Sequence, residues 1–454
     1  MIALLQMSNQ VLDTSFFILF LLLITYPVIG GFAWFIGNLC YSFLFKHRQK
    51  EWNEIPEEIE PFITIMVPAH NEEIVIEHTI DYLMTKINYE HYEVLVTDDG
   101  STDSTPEILA SLQKKYPKLR VIRIEKNKGK AHAFNIGLGF AKGELILSND
   151  ADTVPEPDSL NRYINYFLRP DSTNISAVTA NMDVQNRSKL IAKSQTVEFS
   201  SIVGIIKRTQ IGVLGSIYAY SGANTLYRKN ALIDVGLFRQ DRATEDISIA
   251  WDHQMDGWLS LFAPQIMFFM EVPESLTMLY RQRKRWAKGG TEVWLTNFRK
   301  VLLHPFRNIG RTVMFIDQSL SIIWSFFFWI SSILFLWQLL AAGFSKNPED
   351  IFHILTLSFL FICFEIISGM FQLIASLIVD DQGKKIKYLF FAPLYMLFYW
   401  IMNALTIVTT FIPAVKTIMG LGSGTWKSPE RKGTANTTSD SEKKMTSYYC
   451  FSKN

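Results

Sequence analysis

Residues 92–100 read YEVLVTDDG, and residues 144–152 read ELILSNDAD. In both stretches a short apolar run of strand-like composition ends at acidic residues. Residues 104–115 and 129–141, which lie between them, have the spacing of polar and apolar residues that is typical of helices. Short strands that alternate with helices form a mostly parallel sheet with helices on both faces, so these stretches predict an α/β fold.

The runs 62–69 (FITIMVPA) and 119–124 add two more strands to the same predicted sheet. In open sheets of this kind, ligands bind outside the carboxyl ends of the strands. Two acidic clusters follow strands and are therefore predicted at that edge, namely Asp98–Asp99 and the pair Asp150 and Asp152. The sequence thus predicts a charged binding site at one edge of the sheet.

The Asp-x-Asp pattern at 150–152 places two carboxylates close together on one turn. Such carboxylates repel each other unless a hard cation lies between them, and Mg²⁺ or Mn²⁺ commonly links carboxylates to substrate phosphates. The alternative is an ordinary turn, because Asp and Asn side chains readily form turns. The presence of two acidic clusters, each after a core strand, favours the metal site.

Two further patterns have both a structural and a chemical interpretation. Thr244–Glu245–Asp246 can begin a helix, with Thr244 as the cap and the acidic residues in the first turn, or it can supply an acid or base. Gly129–Lys130 resembles part of a phosphate-binding loop, but the full P-loop pattern is absent. Lys130 can still approach a phosphate from a helix N-terminus.

The chain is unusually apolar, and its apolar residues are concentrated. Hydrophobic residues make up 48% of the 454 positions, and the formal net charge of +1 gives no indication of a nucleic-acid partner. Each of four runs is longer than the roughly 20 residues that a membrane span needs. These runs are 15–45, 318–344, 351–379 (interrupted only by Glu365) and 388–415.

The first run predicts an uncleaved membrane anchor, because its apolar stretch is too long for a secretory signal and no basic segment precedes it. Its length fits either one tilted span or two tight passes broken near residues 27–31. The three cysteines are scattered and are interpreted as reduced thiols: Cys40, Cys363 and Cys450.

Basic residues flank the polar middle of the chain, at 46–50 and throughout 281–311. The positive-inside rule therefore predicts a multi-pass plasma-membrane protein whose polar middle is cytoplasmic. The predicted segments are an anchor at 1–50, a cytoplasmic domain with interfacial helices at 51–311, a transmembrane bundle at 312–417 and a polar, disordered tail at 418–454. The basic tail conflicts with three C-terminal spans, so the number of spans and the side of the tail stay open.

Five motifs, in this order, resemble those of the processive family-2 glycosyltransferases, which include the cellulose, chitin and hyaluronan synthases. The motifs are Val67–Pro68–Ala69–His70–Asn71–Glu72, Asp98–Asp99–Gly100–Ser101, Asp150–Ala151–Asp152, Thr244–Glu245–Asp246 and Gln282–Arg283–Lys284–Arg285–Trp286. Within that group, segments 198–210, 286–293 and 426–431 are similar to the bacterial poly-β-1,6-N-acetylglucosamine synthases.

The resemblance implies a GT-A-like domain that transfers a sugar from a UDP-activated donor with inversion. Asp99 would bind the uracil or the nearby nucleotide, while Asp150 and Asp152 would hold Mg²⁺ or Mn²⁺ on the diphosphate. Glu245 and Asp246 are the implied catalytic residues, with Asp246 as the general base. The other implied substrate-binding residues are Pro68, Ala69, Glu72, Lys130, Ser221, Gly222, Gln282, Arg285 and Trp286.

Residues 281–286 (RQRKRW) allow two interpretations, a positively charged membrane anchor with an interfacial tryptophan or part of an anion-binding site. The resemblance assigns different roles to the residues of this stretch. Gln282 and Trp286 would shape the acceptor end of the site, and Arg285 would face the diphosphate. Arg281 and Lys284 would be ordinary positive-inside charges. The small residues at 220–223 would form an acceptor-side loop or a plain turn.

The implied function is polymerisation of N-acetylglucosamine from UDP-N-acetylglucosamine into a β-1,6-linked biofilm polysaccharide. The C-terminal spans would pass the growing polymer across the membrane, and Glu365 would face a bundle or polar cavity. Membrane lipids and a small accessory membrane subunit are the other implied partners. A hyaluronan, chitin or cellulose type of synthase, and a non-processive transferase to a lipid carrier, stay open as alternatives.

Overall fold

The computed structural model describes residues 2–44, 60–169, 171–345 and 348–421. They form two compact units. The sheet unit consists of the described residues within 48–199 and 219–279, and the helical unit consists of those within 1–47, 200–218 and 280–423. Nearly all of the predicted tail lies outside the described residues, and the boundaries predicted at 50, 311 and 417 stay a prediction.

The sheet unit is built on one eight-stranded sheet. The strands are β1 (Ile63–Ala69), β2 (Tyr92–Asp99), β3 (Leu119–Ile124), β4 (Leu145–Ser148), β5 (Thr153–Pro155), β6 (Ile175–Val184), β7 (Thr225–Arg228) and β8 (Leu259–Met270). Their spatial order is β3-β2-β1-β4-β7-β6-β8-β5. The first four strands and the β6–β8 pair are parallel, whereas β7 and β5 pair antiparallel with their neighbours.

Helices are numbered along the whole chain. They are α1 (Ile2–Leu44), α2 (Ile76–Thr85), α3 (Thr105–Lys115), α4 (Lys130–Phe140), α5 (Ser159–Phe167), α6 (Leu190–Ser201), α7 (Lys229–Asp234), α8 (Glu245–Asp256), α9 (Leu276–Leu303), α10 (Ile309–Ser345), α11 (Pro348–Val379) and α12 (Ala392–Ile418). Short 3₁₀ segments lie at Ser172–Asn174, Asp380–Gly383 and Ile386–Phe391, and π-helical turns lie at Ile202–Lys207 and Gln210–Leu214.

The predicted α/β fold is confirmed. Strands β1 to β4 and helices α3 and α4 begin and end within two residues of the bounds that the sequence predicts. Strands β5 to β8 and the π-helical turns were not predicted from the sequence. Strands β5 and β7 are short, and the pairing of all four strands depends on neighbours that are distant along the chain.

The core of the sheet unit lies between the sheet and its covering helices. Ile63 and Ile65 of β1 are fully buried, as expected for a strand with a helix on each face. Helix α2 contributes Ile76, Ile80 and Leu83 to the same core cluster. These three residues follow the spacing that places side chains on one face of a helix, and this face holds α2 against the sheet.

The parallel register brings three strand ends to one edge of the sheet. Ala69, the last residue of β1, is aligned with Asp98 of β2. Ser148, the last residue of β4, is aligned with Met66 of β1. The loops that carry the predicted site residues therefore leave the sheet side by side.

The helical unit contains four helices that are long and apolar enough to cross a membrane. The candidate spans are Leu23–Leu44, Ile309–Phe344, Ile354–Val379 and Ile386–Ile418, and they coincide with the four apolar runs of the sequence. Helix α1 is continuous through Pro27, which agrees with the single-span alternative. Glu365 on α11 is 1% exposed, so this carboxyl is buried within the unit as predicted.

Polar side chains join these helices. The Trp324 indole Nε1 donates a hydrogen bond to Leu23 O at 2.9 Å, and the Tyr26 hydroxyl donates to Asp317 Oδ1 at 3.3 Å. At another point the Ser200 hydroxyl and the Lys385 ammonium both donate to buried Asp380, at 2.9 and 2.7 Å. Hydrogen bonds of this kind stabilise helix bundles in membranes, where apolar side chains pack about as favourably against lipid as against another helix.

Two glycines of α4 give a matched test of packing against the sheet. A Cβ at Gly137 would lie 2.7 Å from Thr97 Oγ1 and 2.8 Å from Met66 Cε, whereas a Cβ at Gly139 would meet nothing within 4 Å. We expect Gly137→Ala to destabilise the protein by about 1–3 kcal/mol through overpacking. Gly139→Ala should stabilise it by up to about 1 kcal/mol through helix propensity.

The measurement is the thermal unfolding midpoint of the full chain in detergent. The two variants should shift it in opposite directions. Equal midpoints would contradict the close packing of α4 on the sheet.

Candidate active site

Asp99 lies at the end of β2, and its carboxylate binds the loop that leads into α4. Asp99 Oδ2 accepts hydrogen bonds from the backbone N–H of Gly129 at 2.7 Å and of Lys128 at 3.1 Å. The backbone oxygen of Asp99 lies 2.9 Å from His70 Nδ1. Asp99 therefore ties together three segments of the sheet edge, in addition to the nucleotide-binding role that the sequence predicts for it.

The segment after β1 packs beside this loop. In the β1–β2 register, Pro68 is aligned with Thr97, and Ala69 is aligned with Asp98. Glu72 is 7% exposed, and its backbone N–H donates to Thr105 Oγ1 at 2.9 Å. The three predicted nucleotide-side residues thus lie at the same sheet edge as Asp99.

Lys130 is the first residue of α4 and reaches across the site. Its Nζ lies 2.6 Å from Asp150 Oδ1 and 3.0 Å from Glu245 Oε1, and it donates a hydrogen bond to Gly222 O at 3.2 Å. The preceding Gly129 has a φ of 96°, a left-handed conformation that glycine adopts readily. Lys130 thus joins the Asp-x-Asp turn to the residues at the start of α8.

Asp150 and Asp152 lie on the turn between β4 and β5. Thr153 N donates to Asp150 O at 3.1 Å, and the Thr153 hydroxyl donates to Asp152 Oδ1 at 3.2 Å. Among the described residues, no group of three or more acidic, His or Cys side chains could hold a metal ion. Two carboxylates fit a cation such as Mg²⁺, which takes its remaining oxygen ligands from water and substrate phosphates.

Glu245 and Asp246 begin α8, after the cap residue Thr244. Asp246 Oδ2 accepts a hydrogen bond from Gly222 N at 3.3 Å, and Oδ1 accepts one from Ile247 N at 2.9 Å. Glu245 points to Lys130 and is 8% exposed. The two neighbouring carboxylates therefore have different partners, one a backbone amide of the loop and the other an ammonium group.

The loop at 221–223 connects these groups. Ser221 N donates to Thr179 Oγ1 at 3.2 Å, which fixes the loop on β6. Gly222 O accepts hydrogen bonds from Lys130 and from the hydroxyl of Ser148. A Cβ at Gly222 would lie 2.9 Å from Lys130 Nζ and 3.1 Å from Glu245 Oε1. Glycine at this position lets the charged groups approach the backbone closely, and a larger residue would have to displace one of them.

The electrostatics of the site follow from this arrangement. Burial disfavours the charge of Lys130, but Asp150 and Glu245 outweigh this effect and raise the pKa of the Lys130 ammonium. Burial raises the pKa of Asp150 despite the ammonium beside it, and the nearby charge of Asp152 acts in the same direction. The site therefore retains a lysine cation within a surplus of carboxylates.

A buried hydrogen-bond network is centred on Tyr220, the residue before the loop at 221–223. It was not predicted from the sequence. The Tyr220 hydroxyl lies 3.0 Å from His253 Nδ1, 2.5 Å from Ser260 Oγ and 3.3 Å from Ser176 Oγ. Burial lowers the pKa of His253 to about 3, so the ring is neutral. Ser148 was also missed, although a polar residue that ends an apolar strand is a usable signal.

The remaining predicted residues, Gln282, Arg285 and Trp286, lie on α9 in the helical unit. Next to them, the Arg283 guanidinium is buried over the ring of Trp286, 4.1 Å from its centroid, and 5.4 Å from that of Tyr399. Arg281 and Lys284 are exposed, which is compatible with the surface charges predicted for them. The sequence interpretation did not single out Arg283.

A sheet edge of this composition can bind an anionic, metal-associated substrate and can accept a proton. Lys130 and the backbone amides at the start of α4 carry positive charge, the carboxylates of Asp150 and Asp152 are of the type that can ligate a metal, and the carboxylate of Asp246 is of the type that can accept a proton. These are the groups that transfer from a diphosphate-activated donor requires.

Comparison with known proteins agrees with the fold. Residues 64–236 match the model of glycosyl transferase family 2. A mannosyltransferase, PcManGT from Pyrobaculum calidifontis, solved in complex with GDP-Man and Mn²⁺, superposes with a TM-score of 0.54. That match has 20% sequence identity and covers 80% of this chain and 99% of the mannosyltransferase, and it shows the shared GT-A-like fold.

Two relatives extend the likeness along the chain. Poly-beta-1,6-N-acetyl-D-glucosamine synthase of Staphylococcus epidermidis is 30% identical over 423 residues, covering 91% of this chain and 98% of that protein. The synthase of the same name from Staphylococcus aureus strain COL is 30% identical over 418 residues, covering 91% and 98%. The chain therefore belongs to glycosyl transferase family 2, and the resemblance drawn from its motifs is confirmed.

Gly222→Ala tests the close approach of charged groups to the loop. The added methyl group would displace Lys130 Nζ or Glu245 Oε1, and such a misplacement should lower the rate of glycosyl transfer on the order of 10- to 100-fold. Gly139→Ala, which meets no neighbouring atom, is the control. Transfer rates and unfolding midpoints are compared, and a Gly222→Ala variant with normal transfer would show that the loop is not part of the site.

Proposed function

We propose that this protein is a membrane-embedded, inverting glycosyltransferase that polymerises N-acetylglucosamine from UDP-N-acetylglucosamine into a β-1,6-linked polysaccharide. The observation that carries the proposal is the cluster of Lys130, Asp150, Glu245 and Asp246 at the sheet edge of a family-2 glycosyltransferase. The names of the relatives that match almost the whole chain support this sugar and linkage.

The nucleotide of the donor would bind along the carboxyl ends of β1 and β2. Asp99 would bind the uracil or the nearby part of the nucleotide, with Pro68, Ala69 and Glu72 lining the same pocket. The diphosphate would then lie at the N-terminus of α4, where backbone amides and the Lys130 ammonium favour an anion.

Asp150 and Asp152 would hold a divalent cation, Mg²⁺ or Mn²⁺. The cation would neutralise charge on the diphosphate leaving group. Glu245 would hold Lys130 in place, since its carboxylate lies 3.0 Å from the ammonium.

Asp246 would act as the general base. Its carboxylate is oriented by hydrogen bonds from Gly222 N and Ile247 N. As the bond forms between the acceptor C6 oxygen and the anomeric carbon, Asp246 takes the hydroxyl proton, and the bond from that carbon to the diphosphate breaks. UDP leaves, and a direct displacement on an α-linked donor gives a β-linkage.

The helical unit would anchor the enzyme and pass the polymer outward. Gln282 and Trp286 would contact the acceptor, and Arg285 would face the diphosphate, as the motif resemblance implies. In this proposal the sheet unit is cytoplasmic, the four candidate spans cross the plasma membrane, and a small accessory membrane subunit takes part. Membrane lipids and the growing polysaccharide are the other partners.

The product distinguishes the alternatives. Membranes that contain the protein are incubated with labelled UDP-sugars and Mg²⁺, and the product is analysed for length and linkage. We expect long polymer from UDP-N-acetylglucosamine that a β-1,6-N-acetylglucosaminidase degrades. A polymer with another sugar or linkage would indicate a hyaluronan, chitin or cellulose type of synthase, and single-sugar lipid products would refute processive synthesis.

Asp246→Asn tests the base. Because asparagine cannot accept the proton, polymer formation should fall by about 10²- to 10⁴-fold while UDP binding is retained. Asp241→Asn is the matched control, since Asp241 is exposed on the preceding loop. Near-normal polymerisation by the Asp246 variant would place the base elsewhere.

Arg285→Ala tests the diphosphate role against a role in membrane anchoring. Loss of a cation at the leaving group should slow polymer formation by about 10²- to 10³-fold, with the amount of protein in the membrane unchanged. Arg281→Ala removes an exposed charge from the same helix and should leave both quantities near wild type. Equal effects of the two substitutions would argue for anchoring alone.

A further inference from the structure

The Lys130 ammonium is fully satisfied by the protein itself. An ammonium group has three N–H donors, and Nζ has three oxygen neighbours within 3.2 Å. They are Asp150 Oδ1 at 2.6 Å, Glu245 Oε1 at 3.0 Å and Gly222 O at 3.2 Å. Lys130 must therefore leave at least one of these partners in order to bind a phosphate.

The same contact places two cations in competition for one carboxylate. Asp150 is one of the two residues that would hold the divalent cation, and its Oδ1 is already bound to Lys130. A divalent ion near this carboxylate would meet a like charge at short distance, and the two cations would repel each other although the site is partly open to water.

We propose that Lys130 is a built-in counter-ion for Asp150 and Glu245, which gives way when a nucleoside diphosphate binds. The divalent cation then binds together with the donor and only weakly before it. This inference rests on the proposed function in one respect, since a diphosphate is the group that draws the ammonium away.

The exchange requires only a side-chain movement. Lys130 has a flexible four-carbon stem and is 21% exposed, so the ammonium can turn toward solvent without a change in the backbone. Its position in the first turn of α4 lies beside the backbone amides that favour a phosphate. The missing Cβ at Gly222 leaves the space in which the ammonium now lies.

The test is a titration of the full-length protein with Mn²⁺ in the absence of any nucleotide, with free Mn²⁺ measured by electron paramagnetic resonance. Lys130→Met should bind Mn²⁺ on the order of tenfold more tightly than the wild type, because one close like charge is removed. Lys126→Met is the matched control. Lys126 lies on the same loop and is exposed, so its removal should change the affinity by less than about twofold.

A second substitution identifies the site. Adding Asp152→Asn to Lys130→Met should abolish the gain in affinity; a gain that persists would show that the ion binds elsewhere and would overturn the proposal. Mn²⁺ binding by Lys130→Met that is no tighter than in the wild type would also overturn it.

Gly222→Ala keeps the test decisive if Lys130→Met does not fold. Its methyl group would lie 2.9 Å from Lys130 Nζ and 3.1 Å from Glu245 Oε1, so it should loosen the contacts of the ammonium without changing the charge of the protein and should also tighten Mn²⁺ binding in the absence of nucleotide. Unchanged or weaker binding in that variant would count against the proposal.

Addition of UDP completes the design. UDP should tighten Mn²⁺ binding by a larger factor in the wild type than in Lys130→Met, since only the wild type has an ammonium to displace. An equal factor in both proteins would refute the exchange. These titrations contain no sugar, so their outcome is independent of which sugar the enzyme polymerises.

Discussion

The ion pairs of Lys130 are the interactions on which the candidate site depends. The parallel register of β1, β2 and β4 brings acidic loops to one sheet edge, and the start of α8 adds two more carboxylates there. Carboxylates at such distances destabilise one another unless a cation lies among them. Lys130 provides that cation from within the chain, and its hydrogen bond to Gly222 O extends the same connection to the loop at 221–223.

Much of the sheet unit could be predicted because its signals are local. Strands β1 to β4 are continuous apolar runs bounded by turn residues, and each acidic cluster follows a strand directly. That pattern predicts an α/β fold and a charged edge without knowledge of any contact. The four apolar runs are equally local, and they coincide with the candidate spans.

The contacts within the site could not be predicted in the same way. Lys130, Gly222 and Glu245 are far apart along the chain, and nothing in the residues around each of them specifies the others. The network of Tyr220, His253 and Ser260 could not be predicted either, because each residue has an ordinary structural interpretation when it is considered alone. Arg283 could not be distinguished from the other basic residues at 281–285 by sequence alone. In the structure its guanidinium is buried against Trp286.

Buried charge elsewhere in the sheet unit follows the same rule as the site. Glu93, the second residue of β2, is 4% exposed. Burial opposes its charge, but hydrogen bonds from Arg120, Lys142 N and Thr64 outweigh burial and lower the pKa of Glu93. The difference is that the partners of Glu93 lie on the sheet and its adjoining loops, whereas Asp150 is paired with Lys130, which in our proposal a diphosphate would draw away. A carboxylate with replaceable partners is suited to function, and one with fixed partners is suited to stability.

The carboxylate of Asp99 has a consequence for how substitutions at this position are interpreted. It holds the backbone amides of Lys128 and Gly129, and the next residue along the chain is Lys130. Loss of this side chain therefore releases the turn that sets the origin of the Lys130 side chain, together with any contact to the nucleotide. If Asp99 binds the nucleotide as proposed, a donor-binding defect in an Asp99 variant would combine the loss of that contact with a misplaced Lys130 ammonium.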